Sequence, residues 1–325
     1  MKTLELIAAI LFALALVHTF AAPWFERLAH RSTTHSGLLH LLGEIEVVFG
    51  IWAAVLIAAI AANSGPAQAI AYAESRQYTE PLFVFVIMVV AASRPVLDAV
   101  TRLVALLARF LPLPTAVARV WLSFALVPLI GSLITEPAAM TLAALILGPL
   151  VFRPEVPEWL KYGALGTLFV NVSIGGTLTA FAAPPVLMVA TVWNWDSAFM
   201  AANFGWKAAL AVGLNASALT WLLRTHLGRR AASDEAATAA PSMPLTVTVV
   251  HLLFLASVIV FAHHPVIFLG IFLFFLGYVQ AYPAFQNPLI LKEALLVGFF
   301  LAGVVVLGGM QQWWLQPIVS QLEPL

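Results

Sequence analysis

The sequence predicts an all-α, polytopic integral membrane protein that contains a re-entrant hairpin and a discontinuous helix. Three observations predict it. Of 325 residues, 62% are hydrophobic and only 9% are charged, with a mean hydropathy of +0.99, whereas a soluble domain is about 25% charged. The apolar residues gather in segments close to the roughly 20 residues that cross a hydrocarbon core of about 30 Å as a helix. Two of these segments are interrupted at their centres by Gly, Ser, Thr, Asn and Pro.

Composition also excludes several functions. The net charge is zero, which argues against a nucleic-acid partner, because phosphate binding needs a basic excess. The absence of cysteine excludes disulfides, thiolate metal sites and a cysteine nucleophile. No Walker A loop, H-E-x-x-H or G-x-S-x-G occurs, and Gly175-Gly176 is not a nucleotide fingerprint. Neither an enzyme nor a bound cofactor is indicated.

The first apolar segment covers 3–22. It could pass for a secretory leader, but Glu5 weakens the basic start, and Pro23-Trp24-Phe25 follow where small residues would mark a cleavage site. It reads as the first membrane helix. Segments 38–62 and 80–93 come next, with the polar stretch 63–80 between them read as a loop. An amphipathic helix with Arg94, Asp98, Arg102 and Arg109 is expected over 94–111. After the two interrupted segments come 204–223, 247–262, 265–281 and 290–309.

The charged, Ala/Ser/Pro-rich stretch 224–246 reads as a flexible cytoplasmic linker. The expected organisation is therefore an N-terminal membrane block 1–223, a linker 224–246 and a C-terminal membrane block 247–325. With the N-terminus outside, most Lys and Arg fall on the cytoplasmic side if 116–150 enters and leaves on one side, as the positive-inside tendency favours. Trp24, Trp193, Trp195, Trp313 and Trp314 fall near segment ends, as an aromatic belt does. The expected location is the cell (inner) membrane, with multiple passes.

The interrupted segments carry the chemistry. Over 116–150, two apolar halves of about a dozen residues flank Gly131-Ser132-Leu133-Ile134-Thr135-Glu136-Pro137. Each half is too short to span alone. Proline removes a backbone donor, and unpaired backbone groups are tolerated at membrane depth only inside protein or beside a wet cavity. Glu136 before Pro137 is a favoured helix start, where the helix dipole stabilises a carboxylate. Over 160–190 the break contains Asn171, Ser173, Gly175, Gly176, Thr177, Thr179, Pro184 and Pro185.

Paired broken helices with polar centres are the sequence mark of a transporter's binding site. Hydroxyls and free carbonyls replace the water around a small cation, and Glu136 supplies a group that can exchange a proton. The competing explanations are packing kinks and, for Asn171 and Thr177, interhelical hydrogen bonding. His40 and Glu44, four residues apart, share a helix face and form a candidate proton relay near the cytoplasmic end. His18 reads as a hydrogen-bonded packing residue, and His263-His264 as an interfacial turn.

The run Gly131-Ser-Leu-Ile-Thr-Glu-Pro-Ala-Ala-Met140, followed by Gly175-Gly-Thr-Leu-Thr-Ala-Phe-Ala-Ala-Pro184, resembles the putative sodium/proton antiporter family, a relative of NhaD-type antiporters in the ion transporter superfamily. The resemblance extends through Arg94-Pro95 to Gln311-Gln-Trp-Trp314. It implies two inverted repeats, each with a re-entrant hairpin and a broken helix, and cation and proton sites where the repeats meet. It assigns Thr135, Glu136, Asn171, Ser173, Gly176, Thr177 and Thr179 to the site of the first repeat. It also implies a second hairpin and broken helix beyond Trp314, and Leu325 precedes them, so the chain is expected to carry the first repeat and to need completion, for instance in a homodimer.

The function expected from these features is a secondary active transporter exchanging sodium or another small cation for protons by alternating access. The candidate cation-binding residues are Ser132, Thr135, Glu136, Asn171, Ser173, Gly175, Gly176, Thr177 and Thr179. The alternatives are a carrier of an organic or oxyanion substrate, which half-helix N-termini would suit, and an inactive, truncated membrane scaffold.

Overall fold

The computed structural model describes residues 2–32, 35–134, 136–180, 182, 186, 189–190, 193–227 and 243–319. Every regular element among the described residues is helical. Four helices are long and apolar enough to cross a membrane: Thr3–Ala29, Ile45–Ser64, Thr115–Leu133 and Leu291–Gly308. A fifth span forms if the pair Thr79–Ala91 and Arg94–Ala108, bent by 65°, is taken together. The outward faces are apolar, which is the arrangement a lipid solvent requires and water would penalise. The protein is thus an all-α polytopic membrane protein.

The chain divides into two compact units, residues 1–85 with 291–325, and residues 86–290. The expected linker 224–246 lies inside the second unit, so the division does not follow it; most of that linker falls outside the described residues.

In the first unit, α1 (Lys2–Ala29) turns Ala8, Leu11, Ala15 and Ala22 inward and exposes Leu6, Ile10, Val17 and Phe20. Small residues on the inner stripe let neighbouring backbones approach. α1 continues seven residues past the expected end at 22, through Pro23. The expected span 38–62 is two helices, α2 (Ser36–Gly43) and α3 (Ile45–Ser64), parted where Glu44 is extended at φ −78°, ψ 112°.

The stretch 63–80, expected as a loop, contains α4 (Pro66–Glu74). Pro66 starts the helix and alternating alanines sustain it. Gly65, at φ 93°, makes the turn between α3 and α4 in a region that disfavours other residues.

α14 (Leu291–Gly308) crosses α3 with the two backbones in direct contact. A Cβ on Gly303 would lie 2.4 Å from the Phe49 carbonyl carbon, and one on Gly50 would lie 2.0 Å from the Phe299 ring. Beyond α14, Gln311 donates to the carbonyls of Ala8 (3.1 Å) and Leu307 (2.8 Å) and accepts from the Trp314 indole (2.7 Å) at the start of α15 (Gln312–Val319). His18 is the packing residue expected. Trp52 Nε1 donates to its Nδ1 (3.1 Å), so its proton sits on Nε2 and is given to the Leu42 carbonyl (2.9 Å).

α5 (Thr79–Ala91) leads into the second unit and bends at Ala92-Ser93 into α6 (Arg94–Ala108). The predicted amphipathic helix is α6, with Val96, Val100, Val104 and Ala108 buried at fourfold spacing. α7 (Thr115–Ile134) and α8 (Glu136–Val151) form the hairpin. A Cβ on Gly131 would lie 3.0 Å from Ala139 Cβ, although eight residues of continuous helix would span about 12 Å. The chain therefore folds back.

The expectation of two halves of a dozen residues is corrected. α7 has 20 residues and is long enough to cross, while α8 has 16. α7 continues through Pro128 because a side chain takes up the carbonyl that proline frees, as described below.

α9 (Glu158–Gly175) ends in a 3-10 turn, Gly176–Leu178. α10 (Ser197–Met200) runs through a π-helical turn, Ala201–Gly205, into α11 (Trp206–Leu223). α12 (Leu245–Val260) and α13 (Pro265–Ala281) are joined by the tight turn that contains His263-His264.

Candidate functional site

The two sequence interruptions meet at Ser132. Its hydroxyl donates to the Gly175 carbonyl and accepts from the Leu178 amide (3.1 Å), and its own carbonyl accepts from Thr179 Oγ1 (2.7 Å). One buried serine at the tip of α7 thus satisfies groups released where α9 ends. Each of these groups would otherwise be a helix-end donor or acceptor with no helical partner.

The approach is close because Gly175 has no side chain. A Cβ there would stand 2.2 Å from the Pro128 carbonyl oxygen. Pro128 also has no N–H for the carbonyl four residues earlier, that of Phe124. Asn171 Nδ2 supplies the missing donor, at 2.7 Å from Phe124 O, and its second hydrogen reaches Val212 O at 3.3 Å. Asn171 Oδ1 accepts from Asn215 Nδ2 at 3.0 Å. Asn171 is fully buried and joins α7, α9 and α11.

The predicted residues therefore fall into distinct places. Ser132, Gly175, Gly176 and Thr179 are brought together at the junction. Asn171 lies one turn away, within regular helix, with both amide hydrogens engaged. Thr177 donates to Ile174 O (2.7 Å) within its own turn. Ser173 is exposed, on the opposite face of α9 from Asn171 and Gly175. Glu136 opens α8 and is half-buried, with no hydrogen-bond or ion-pair partner among the described residues. Thr135, Pro184 and Pro185 lie outside the described residues.

Sequence reasoning missed a third wall. Ser197 Oγ accepts from the Ala180 amide (3.3 Å), and Gly205, at the end of the π-helical turn, packs against Leu178. The local signal for Ser197 is Asp196, whose carboxylate caps the helix start by accepting from Phe199 N (2.7 Å). π-helical turns often mark functional sites, but no residue pattern announces one. Asn215 had no signal beyond being a polar residue in an apolar helix.

His40 and Glu44 belong to the first unit. Glu44 caps α2, so the pair is not on one continuous helix, yet both line a cavity of about 350 Å³ with Glu26, Gly43 and Lys292. Lys292 Nζ and Glu44 Oε1 are paired at 3.2 Å. Among the described residues no group of three His, Asp or Glu side chains could hold a metal ion.

A further buried histidine, unremarked in the sequence, lies in the second unit. His251 Nδ1–H donates to Val247 O (2.8 Å), and Gln286 Nε2 donates to its Nε2 (2.8 Å).

An all-α chain with apolar outer faces, whose helix breaks are buried and joined by side-chain hydrogen bonds, is built as membrane transporters are. Residues 3–325 match the family described as "Putative Na+/H+ antiporter", and the chain belongs to that family. No curated protein and no solved structure matches it.

Proposed function

We propose that this chain exchanges sodium for protons across the cell membrane by alternating access, with Glu136 as the group at which the two ions compete. The observation that carries the proposal is the Ser132 junction. It ties the end of α7, four residues before Glu136 in the chain, to the interrupted end of α9. A half-buried carboxylate with no protein partner among the described residues can bind either a proton or a cation. Hydroxyl and carbonyl oxygens of 176–179 are suited to complete a sodium shell.

Ser132, Gly175 and Asn171 act in this proposal by position. Asn171 has both its donors engaged by α7 and α11, and it fixes the crossing on which the junction depends. The anion-carrier alternative is disfavoured by Glu136 itself. The N-terminus of α8, where an anion would sit, already carries a carboxylate.

The test is sodium-driven proton movement in everted vesicles containing the chain, beside Glu136→Gln. A sodium-dependent pH response that disappears in the variant, with equal protein in the membrane, is expected. An unchanged response in the variant removes Glu136 from the mechanism.

A further inference from the structure

We propose that His251 is a proton site distinct from Glu136, and that its protonation releases the connector 282–290, which the neutral ring holds to α12. The connector matters by its place, between the end of α13 and the start of α14. The chain passes between the two compact units at 85–86, inside α5, and at 290–291, where the connector ends. The proposal does not rest on the transport reading.

The hydrogen bonds of the ring set its chemistry. His251 is fully buried and lies six residues, about 9 Å, into α12. Its ring meets Tyr278, and Phe254 meets Phe275, so α12 and α13 run antiparallel. His251 is therefore near the end at which α13 stops and the connector begins. With Nδ1–H given to the Val247 carbonyl (2.8 Å), the neutral ring has a lone pair on Nε2. Gln286 Nε2 donates to that lone pair (2.8 Å). Gln286 Oε1 is buried with no hydrogen-bond partner among the described residues. One lone pair thus holds the Gln286 side chain, and an unpaired buried acceptor weighs against the seat.

A proton on Nε2 removes the lone pair and sets two donors against each other. Turning the Gln286 amide over would offer Oε1 instead, but the imidazolium would stay buried. Its ring neighbours are Phe275 at 5.6 Å and Tyr278 at 5.5 Å, with Tyr282 of the connector 4.7 Å beyond Tyr278. α6, also packed on α12, carries Arg94, Asp98 and Arg102, and none of these three pairs with His251. Aromatic rings return less to a buried cation than the solvation it loses. The proton is therefore bound where the connector has lifted and water reaches the ring. The held state binds fewer protons than the lifted one. Its stability is complete above about pH 6.5, where an exposed imidazole titrates, and falls as pH drops below that value.

The test is hydrogen exchange of the full chain in an uncharged detergent, read as protection relative to the unstructured rate. The amides of Phe285 and Gln286 report on the connector, because they bond to Tyr282 O (3.2 Å) and Pro283 O (3.1 Å) within its own turn. Between about pH 7.5 and about pH 5.5 their protection should fall about tenfold, for one proton taken up on lifting. Amides of α11 should keep their protection. His251→Gln removes the titrating ring, and the fall should vanish. Gln286→Glu sets a carboxylate against the imidazolium, so the held state keeps its proton and the fall should vanish again. This second variant leaves the helix untouched and serves if His251→Gln does not fold. Unchanged protection of the wild-type connector at the lower pH, or a tenfold fall that persists in either folded variant, would overturn the proposal.

Discussion

Asn171 donates to the Phe124 carbonyl, 2.7 Å away, at the position in α7 where Pro128 cannot. A proline inside a helix normally frees the carbonyl four residues before it and bends or ends the helix. Here a side chain from α9 takes the place of the missing amide, and α7 keeps its 20 residues.

That relationship predicts coupling. Asn171→Leu should destabilise the protein by about 1–3 kcal/mol, because Phe124 O, Val212 O and Asn215 Nδ2 all lose a partner. In a Pro128→Ala background the backbone amide of residue 128 can reach Phe124 O, so the same change should cost less. A double-mutant cycle on thermal unfolding in detergent measures this, with an expected coupling of about 0.5–1.5 kcal/mol. Strict additivity would mean that the amide and the proline do not share that carbonyl.

The Ser132 junction gives a local readout. Ser132→Ala removes both hydroxyl bonds but leaves the Thr179 bond to the residue 132 carbonyl. Hydrogen exchange at the Leu178 amide should quicken by about tenfold or more, for the loss of a bond worth about 1–1.5 kcal/mol. Amides in α12 and α13 should exchange as before.

Glycine positions separate tight packing from open space. Gly175→Ala places a methyl 2.2 Å from Pro128 O, which must push α7 from α9 at a cost of about 1–3 kcal/mol or more. Gly213→Ala meets nothing within 4 Å, so its helix should gain up to about 1 kcal/mol. Melting temperatures of the two variants should move in opposite directions.

The ion pair of Glu44 and Lys292 is exposed, with side-chain exposures of 33% and 72%. Glu44→Gln should therefore change stability by less than about 1 kcal/mol, and less still in high salt. If cation exchange falls in this variant while the melting temperature holds, the cavity shared with Glu26 and His40 takes part in transport. Unchanged exchange would assign the pair to the surface.

The sequence by itself determined the membrane class, most of the spans, the amphipathic α6, the two interruptions and the packing role of His18. These are local properties. Apolar run length, helical spacing and a proline or glycine cluster act on the backbone wherever the segment lies. Only the tertiary structure decided which interrupted residues work together. Ser132 and Thr179 are 47 residues apart and Asn171 and Asn215 are 44 apart, and neither pairing leaves a periodic mark in the chain. The tertiary structure also separated Ser173 from Asn171, two residues away, because successive helical positions turn by about 100° and the neighbours lie on different faces. Whether a polar side chain near a helix break is held by protein or left open to an ion depends on which helix crosses it, and that is fixed by close approaches such as Gly175 against Pro128.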